Sequence, residues 1–199
     1  HSRDLIEQYK IYVQDWRRYF HKHPELSTEE FETTKTLAKE LESMGVEVHV
    51  DTERGTGLIG IIHGAKSGKA IALRADIDAL PVQEHNTFDF KSDVDGKMHA
   101  CGHDGHMAIL LGAAKMLTAM KDRIEGDVYL AFQPAEETGA GAPDFMKFDN
   151  WFEKIDAIFG GHVWIDLPAG LISVEEGQRM AASSKITIRV KGEQGHGAQ

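Results

Sequence analysis

Lys69-Ala70-Ile71-Ala72-Leu73-Arg74-Ala75-Asp76-Ile77-Asp78 is the stretch that decides how this chain folds. Lys69 to Ala75 is a short apolar run of the kind that forms a strand buried on both faces. Two aspartates follow it directly. In open α/β sheets, ligands gather beyond the carboxyl ends of the strands, so acidic residues at such an end point to a site.

Working outward, strand and helix patterns alternate. Leu5, Tyr9, Tyr12, Val13, Trp16 and Phe20 recur at helical spacing, which predicts a helix over 4–21 that stops near His23-Pro24. Ser27 and Glu30 form a capping-box pattern for a second helix that runs to Gly45, a C′ residue. Strands are expected at 46–50, 57–63, 69–75, 127–132, 157–163, 170–174 and 186–190. Further helices are expected over about 104–121 and after Pro143. The expected fold class is α/β, a largely parallel central sheet flanked by helices. A soft boundary near 178–184 divides a domain over 1–180 from the beginning of another over 181–199.

Composition narrows the function. The 199 residues are 41% hydrophobic and 27% charged, with net charge −10, which disfavours nucleic acid and anionic membrane surfaces as partners. No apolar run reaches the ~18 residues that span a bilayer. The single cysteine, Cys101, fits a reducing compartment and a cytoplasmic location.

The chemistry concentrates in Met98-His99-Ala100-Cys101-Gly102-His103-Asp104-Gly105-His106. Cys101 and His103, one residue apart at a helix start, can face one cation, and a thiolate beside imidazole suits zinc, nickel, cobalt or manganese. A Cys/His nucleophilic pair is the competing reading, but it leaves the other acidic and imidazole groups without a task. Those groups are Gln133-Pro134-Ala135-Glu136-Glu137-Thr138, after one expected strand, and Gly160-Gly161-His162-Val163, at the end of another. In a loop, one of the paired glutamates can bind metal while its neighbour moves a proton. Asp76 and Asp78 are either ligands or supports that orient histidines. His99 and His106 read as supporting or packing residues. His21, His23, His49, His63 and His85 are isolated and read as surface or cap residues.

Six segments in this order resemble the aminoacylase/carboxypeptidase family of metallopeptidases, in the branch of N-acyl-amino-acid amidohydrolases, hippurate hydrolases and plant auxin-conjugate hydrolases. They are Arg17 to Leu26, Arg74 to Pro81, Met98 to His106, Phe132 to Thr138, Gly161-His162-Val163 and Gly195-His196-Gly197-Ala198. The resemblance implies a zinc-peptidase-like catalytic domain followed by a smaller lid and dimerisation domain. It implies two divalent transition-metal ions, held by Cys101, His103, Glu137 and His162. Glu136 takes the role of general base and Asp78 that of support for the metal site. His196 matches a histidine that reaches the partner subunit's active site to stabilise an oxyanion. A homodimer acting on small N-acylated amino acids or peptide-like conjugates is implied as well. Two departures stand out. Asp76 occupies a position that is histidine in much of the wider family. Family members are also longer and supply a further histidine ligand, so this sequence is expected to be part of a longer chain. A non-catalytic metal-binding or assembly module on the same scaffold is the alternative.

Overall fold

The computed structural model describes residues 2–139, 141–181, 186–193 and 195. They fall into two units, His1–Val163 and Trp164–Gln199.

The first unit contains every helix and strand found among the described residues. Helix α1 (Ser2–Lys22) is followed by α2 (Phe31–Ser43), β1 (Glu47–Val50), β2 (Leu58–His63) and β3 (Ile71–Asp76). Then come α3 (His103–Ala119), β4 (Asp127–Gln133), α4 (Gly141–Phe145) and β5 (Ala157–Gly160). Short 3-10 turns lie at Lys121–Arg123 and Phe148–Lys154.

The five strands form one sheet in the order β1-β2-β4-β3-β5. β4 pairs in parallel with β3, and β3 in parallel with β5. β1–β2 and β2–β4 are antiparallel. The sheet is therefore mixed, which corrects the largely parallel expectation. The physical reason is chain length: the connection between β1 and β2 is far shorter than the dozen or more residues a parallel crossover needs.

Alternation along β2 and β4 builds two cores. Leu58, Ile62, Val128, Leu130 and Phe132 face α1, α2 and α3 and pack with Phe20, Leu37, Leu41, Met107 and Leu111. Ile59, Ile61, Tyr129 and Ala131 face the other way, onto Phe145 and Trp151. Burial on both faces explains why these strands read as continuous apolar runs.

Local differences have local causes. The Ser27–Glu30 capping box does not form. Glu30 is the N-cap of α2 without a side-chain cap bond, and the Glu25 carboxylate accepts the N–H groups of Glu32 and Thr33 instead. The short helix includes Pro143 rather than following it. β5 stops at Gly160. In the second unit the described residues form no helix or strand, so 170–174 and 186–190 are not strands. Ile172, Val174, Ile186, Ile188 and Val190 are exposed there. An alternating pattern yields a strand only where another strand takes up its backbone groups.

Candidate metal centre

The parallel strands bring their carboxyl ends to one edge. Asp76 lies opposite Gln133, and Arg74 opposite Gly160. The chain leaving each strand therefore delivers Asp78, Glu136-Glu137 and His162 to the same place. Helix α3 starts there as well. Its N-cap is Gly102, in the left-handed region at φ 94, where an added Cβ would sit 2.3 Å from the Val163 side chain. Only glycine suits that position.

Three overlapping groups of possible metal-binding atoms result, with the atoms of each group within 4.8 Å of one another. Cys101, His103 and His162 form one group; Asp76, His103 and His106 another; His103, Glu136 and Glu137 the third. The structure thus brings together Cys101, His103, Glu136, Glu137 and His162, with His103 common to all three groups. His196 lies outside the described residues.

His103 is fully buried, and its ring is oriented. Nδ1 donates to the Asp78 carbonyl at 2.8 Å and lies 3.3 Å from the Asp78 carboxylate. That leaves Nε2 with its lone pair facing the site, without a hydrogen-bond partner. Glu137 Oε1 is likewise buried and unpartnered, 3.8 Å from His103 Nε2. Two orphaned buried acceptors aimed at one another repel unless a proton or cation lies between them. Cys101 Sγ is 3.6 Å from His162 Nε2 on the same side. Thiol, imidazole and carboxylate in this arrangement fit a divalent transition metal.

Asp78 ties the site together. Oδ2 accepts the Ser27 hydroxyl at 2.6 Å and the Glu137 N–H at 2.9 Å. Burial works against its ionisation, but the bonds from His103, Ser27 and Glu137 outweigh it and hold the carboxyl below its usual range.

Asp76 and His106 form a second tier. Asp76 Oδ2 accepts from Arg74 at 2.8 Å and Oδ1 from His106 Nδ1 at 2.6 Å. Burial opposes ionisation there too, yet His106, His103 and Arg74 together hold Asp76 at about 2. Each of its oxygens accepts one of these bonds, and Oδ2 also lies 3.6 Å from His103 Nε2. His106 Nε2 accepts the Val163 N–H at 2.9 Å, so both of its nitrogens are used as well. These two residues link the β3 end to the loop carrying His162.

The surroundings of Cys101 disfavour a bare nucleophilic thiolate. Burial, then the negative charges of Glu137 and Asp76, push the thiol up to about 12. An activated cysteine needs the opposite environment.

Two parts of this region escape sequence reasoning. His21, read as an isolated surface or cap residue, is buried between Asp104 (2.8 Å) and Glu84 (3.1 Å). Burial lowers its proton affinity, but the two carboxylates more than reverse this and raise it. Arg17 adds a 3.0 Å contact to Asp104. Glu30 is fully buried and accepts the Ala135 N–H at 2.8 Å. Neither histidine spacing nor a charge pattern announces contacts made across 83 and 105 residues of chain. His23, by contrast, does cap α1, through Nδ1 and the Tyr19 carbonyl.

Comparison with known proteins identifies relatives of this chain. The model of peptidase family M20/M25/M40 matches residues 72–196. Thermostable carboxypeptidase 1 of Saccharolobus solfataricus is 44% identical over 98% of this chain and 52% of its own length. N-acyl-L-amino acid amidohydrolase of Geobacillus stearothermophilus is 41% identical over 98% of this chain and 52% of its own. The chain thus spans about half the length of these curated relatives. Among solved structures, the Bacillus subtilis YXEP protein, described as a dinuclear metal binding peptidase from the M20 family, superposes with a TM-score of 0.81 at 44% identity. That match covers 86% of this chain and 48% of the other. By the family match and by these relatives, the chain belongs to peptidase family M20/M25/M40.

Proposed function

We propose that the complete protein is a metal-dependent amidohydrolase that cleaves the amide bond of small N-acyl amino acids or peptide-like conjugates. The observation carrying this reading is the pair of buried, unpartnered atoms His103 Nε2 and Glu137 Oε1 beside Cys101 and His162, with Glu136 adjoining. The names of the relatives, a carboxypeptidase and an N-acyl-L-amino acid amidohydrolase, support the substrate class.

Cys101, His103, Glu137 and His162 would hold two divalent transition-metal ions, with manganese, zinc, nickel and cobalt all compatible. When bound, such ions polarise the substrate carbonyl and make water more acidic. Asp78 fixes the His103 ring so that Nε2 faces the site. Glu136 takes a proton from the attacking water as the new C–O bond forms. It returns that proton to the amine nitrogen as the C–N bond breaks, giving a carboxylic acid and a free amine. His196 of a partner subunit would steady the oxyanion.

The same reading makes 1–180 the N-terminal part of the catalytic domain and 181–199 the start of a smaller lid and dimerisation domain. The protein would be a cytoplasmic homodimer. No helix among the described residues is long and apolar enough to cross a membrane.

Metal content per chain of the full-length protein, purified without chelator, tests the reading first. Close to two ions supports it, and none after reloading sinks it. Glu136→Gln should abolish turnover while retaining the metals, whereas Glu137→Ala should lose metal. Near-normal turnover in Glu136→Gln removes the base assignment.

A further inference from the structure

The residue before the proposed general base is held in a conformation that alanine disfavours. Ala135 has φ 53, in the left-handed region, which a non-glycine residue keeps only when its surroundings over-determine it. Those surroundings can be traced. The Ala135 carbonyl accepts the Gly141 N–H at 3.2 Å and the Thr138 hydroxyl at 3.1 Å. Gly141 packs so closely that a Cβ there would lie 1.9 Å from the Pro134 carbonyl oxygen. The Ala135 N–H goes to Glu30 Oε1 at 2.8 Å.

Glu30 is an unusual choice for that task. It is fully buried, and its second oxygen, Oε2, has no hydrogen-bond partner. Burial pushes its carboxyl up to about 7, against the effect of the Ala135 N–H. A buried carboxyl with one oxygen unsatisfied destabilises a fold, so its presence needs a local reason. Its backbone is anchored: the Glu30 carbonyl accepts both the N–H and the hydroxyl of Thr34 in the first turn of α2. The side chain thus runs from a rigid helix start to the one amide that precedes Glu136. Glu137 has a separate tether, its N–H to Asp78.

We infer that Glu30 is a positioning residue, which holds Ala135 in its left-handed conformation and thereby aims the Glu136 carboxylate. The inference rests on the reading of Glu136 as general base.

The test uses two variants of the full-length protein. Glu30→Gln keeps an acceptor oxygen for Ala135, and Glu30→Leu keeps a side chain of similar size without one. Measured are kcat and KM on an N-acyl amino acid, metal content, and amide hydrogen exchange of the 133–139 segment. For Glu30→Gln, kcat and exchange should stay within about threefold of the parent. Glu30→Leu should lower kcat about tenfold or more with KM and metal content unchanged, because small misplacements of a reacting group carry large rate penalties. Exchange in 133–139 should quicken while that of α3 does not. The inference is overturned by an unchanged turn in Glu30→Leu, by equal losses in both variants, or by exchange that quickens uniformly through α3. If Glu30→Leu does not fold, the double variant with Ala135→Gly decides. Glycine adopts positive φ without penalty, so folding should return, and its failure to return also overturns the inference. Exchange is read without turnover. A Glu136→Gln variant that stayed active would therefore remove the base assignment and leave the Glu30 result standing.

Discussion

Replacing Glu30 with glutamine should make the stability of this protein less sensitive to pH, and by a calculable amount. The Glu30 carboxyl is fully buried and pushed up to about 7 from an ordinary 4.5, chiefly by burial. In the unfolded chain the same group ionises near 4.5, so the unfolded state releases its proton first. A raised folded value means the contribution is fully present below 4.5 and is lost as pH rises through 7. The gap corresponds to about 3 kcal/mol in favour of unfolding above pH 7. Glutamine cannot titrate. Whatever fixed offset the amide introduces, the stability of Glu30→Gln relative to the parent should therefore improve by about 2–3 kcal/mol between pH 5 and pH 8. Urea unfolding at several pH values measures this, with Trp16 and the buried Trp151 as fluorescent reporters in the first unit. The chain should be treated with chelator, because a cation near Asp78 favours an ionised Glu30 and narrows the difference. Curves that run parallel, diverging by less than about 1 kcal/mol, would refute the reasoning, since they would mean that Glu30 titrates as an exposed carboxyl does.

Three other perturbations follow from the geometry. His106→Phe keeps the ring volume but cuts the link between Asp76 and the Val163 N–H; metal affinity should fall about 10–100-fold in chelator competition, and an unchanged affinity would show the link to be dispensable. Gly141→Ala drives a Cβ against the Pro134 carbonyl and should destabilise by about 1–3 kcal/mol; a melting temperature equal to the parent's would contradict the packing of that turn. His21→Gln removes a cation held between Asp104 and Glu84. Because the folded proton affinity of His21 is raised, its stabilising effect is complete below the ordinary 6.5 and fades as pH rises through the folded value. The parent's advantage over His21→Gln should shrink correspondingly above pH 6.5, and an advantage that grew with pH would reverse the assigned charge.

The strands of the core were legible because burial on both faces leaves an unbroken apolar run. Leu58–His63, Ile71–Asp76 and Asp127–Gln133 all lie within two residues of the expected limits. Strand direction was not legible from those runs. The short connection between β1 and β2 carried that information, and it was outweighed by the alternation of helix and strand patterns farther along. Ser27 and Glu30 show a different limit. Their spacing is that of a capping box, a local rule, but both side chains are drawn to partners remote in sequence. Ser27 donates to Asp78 and Glu30 accepts from Ala135. His21 is beyond local rules for the same reason, since its partners Glu84 and Asp104 lie 63 and 83 residues away. Local rules see helix ends; they do not see which side chains a sheet edge later brings within reach.

That sheet edge also explains how the candidate residues come together although the sheet is mixed rather than largely parallel. The site needs only β3, β4 and β5 to run the same way, and these three do. Being antiparallel to β4, β2 presents its first residues at this edge, with Leu58 opposite Phe132. Gly57, just before it, lies against Pro134, where an added Cβ would come within 2.6 Å of the proline ring. The antiparallel strand thus adds a wall to the turn that carries Glu136 instead of disturbing it. The turn is closed in by Gly57, just before β2, by Gly141 from α4 and by Glu30, the N-cap of α2. A carboxylate that must accept and return a proton gains from such confinement, because each orientation removed in advance is one the reaction need not select. On this argument the mixed sheet is part of what makes the proposed base effective. Loosening Gly57's contact should then act on kcat before it acts on metal content.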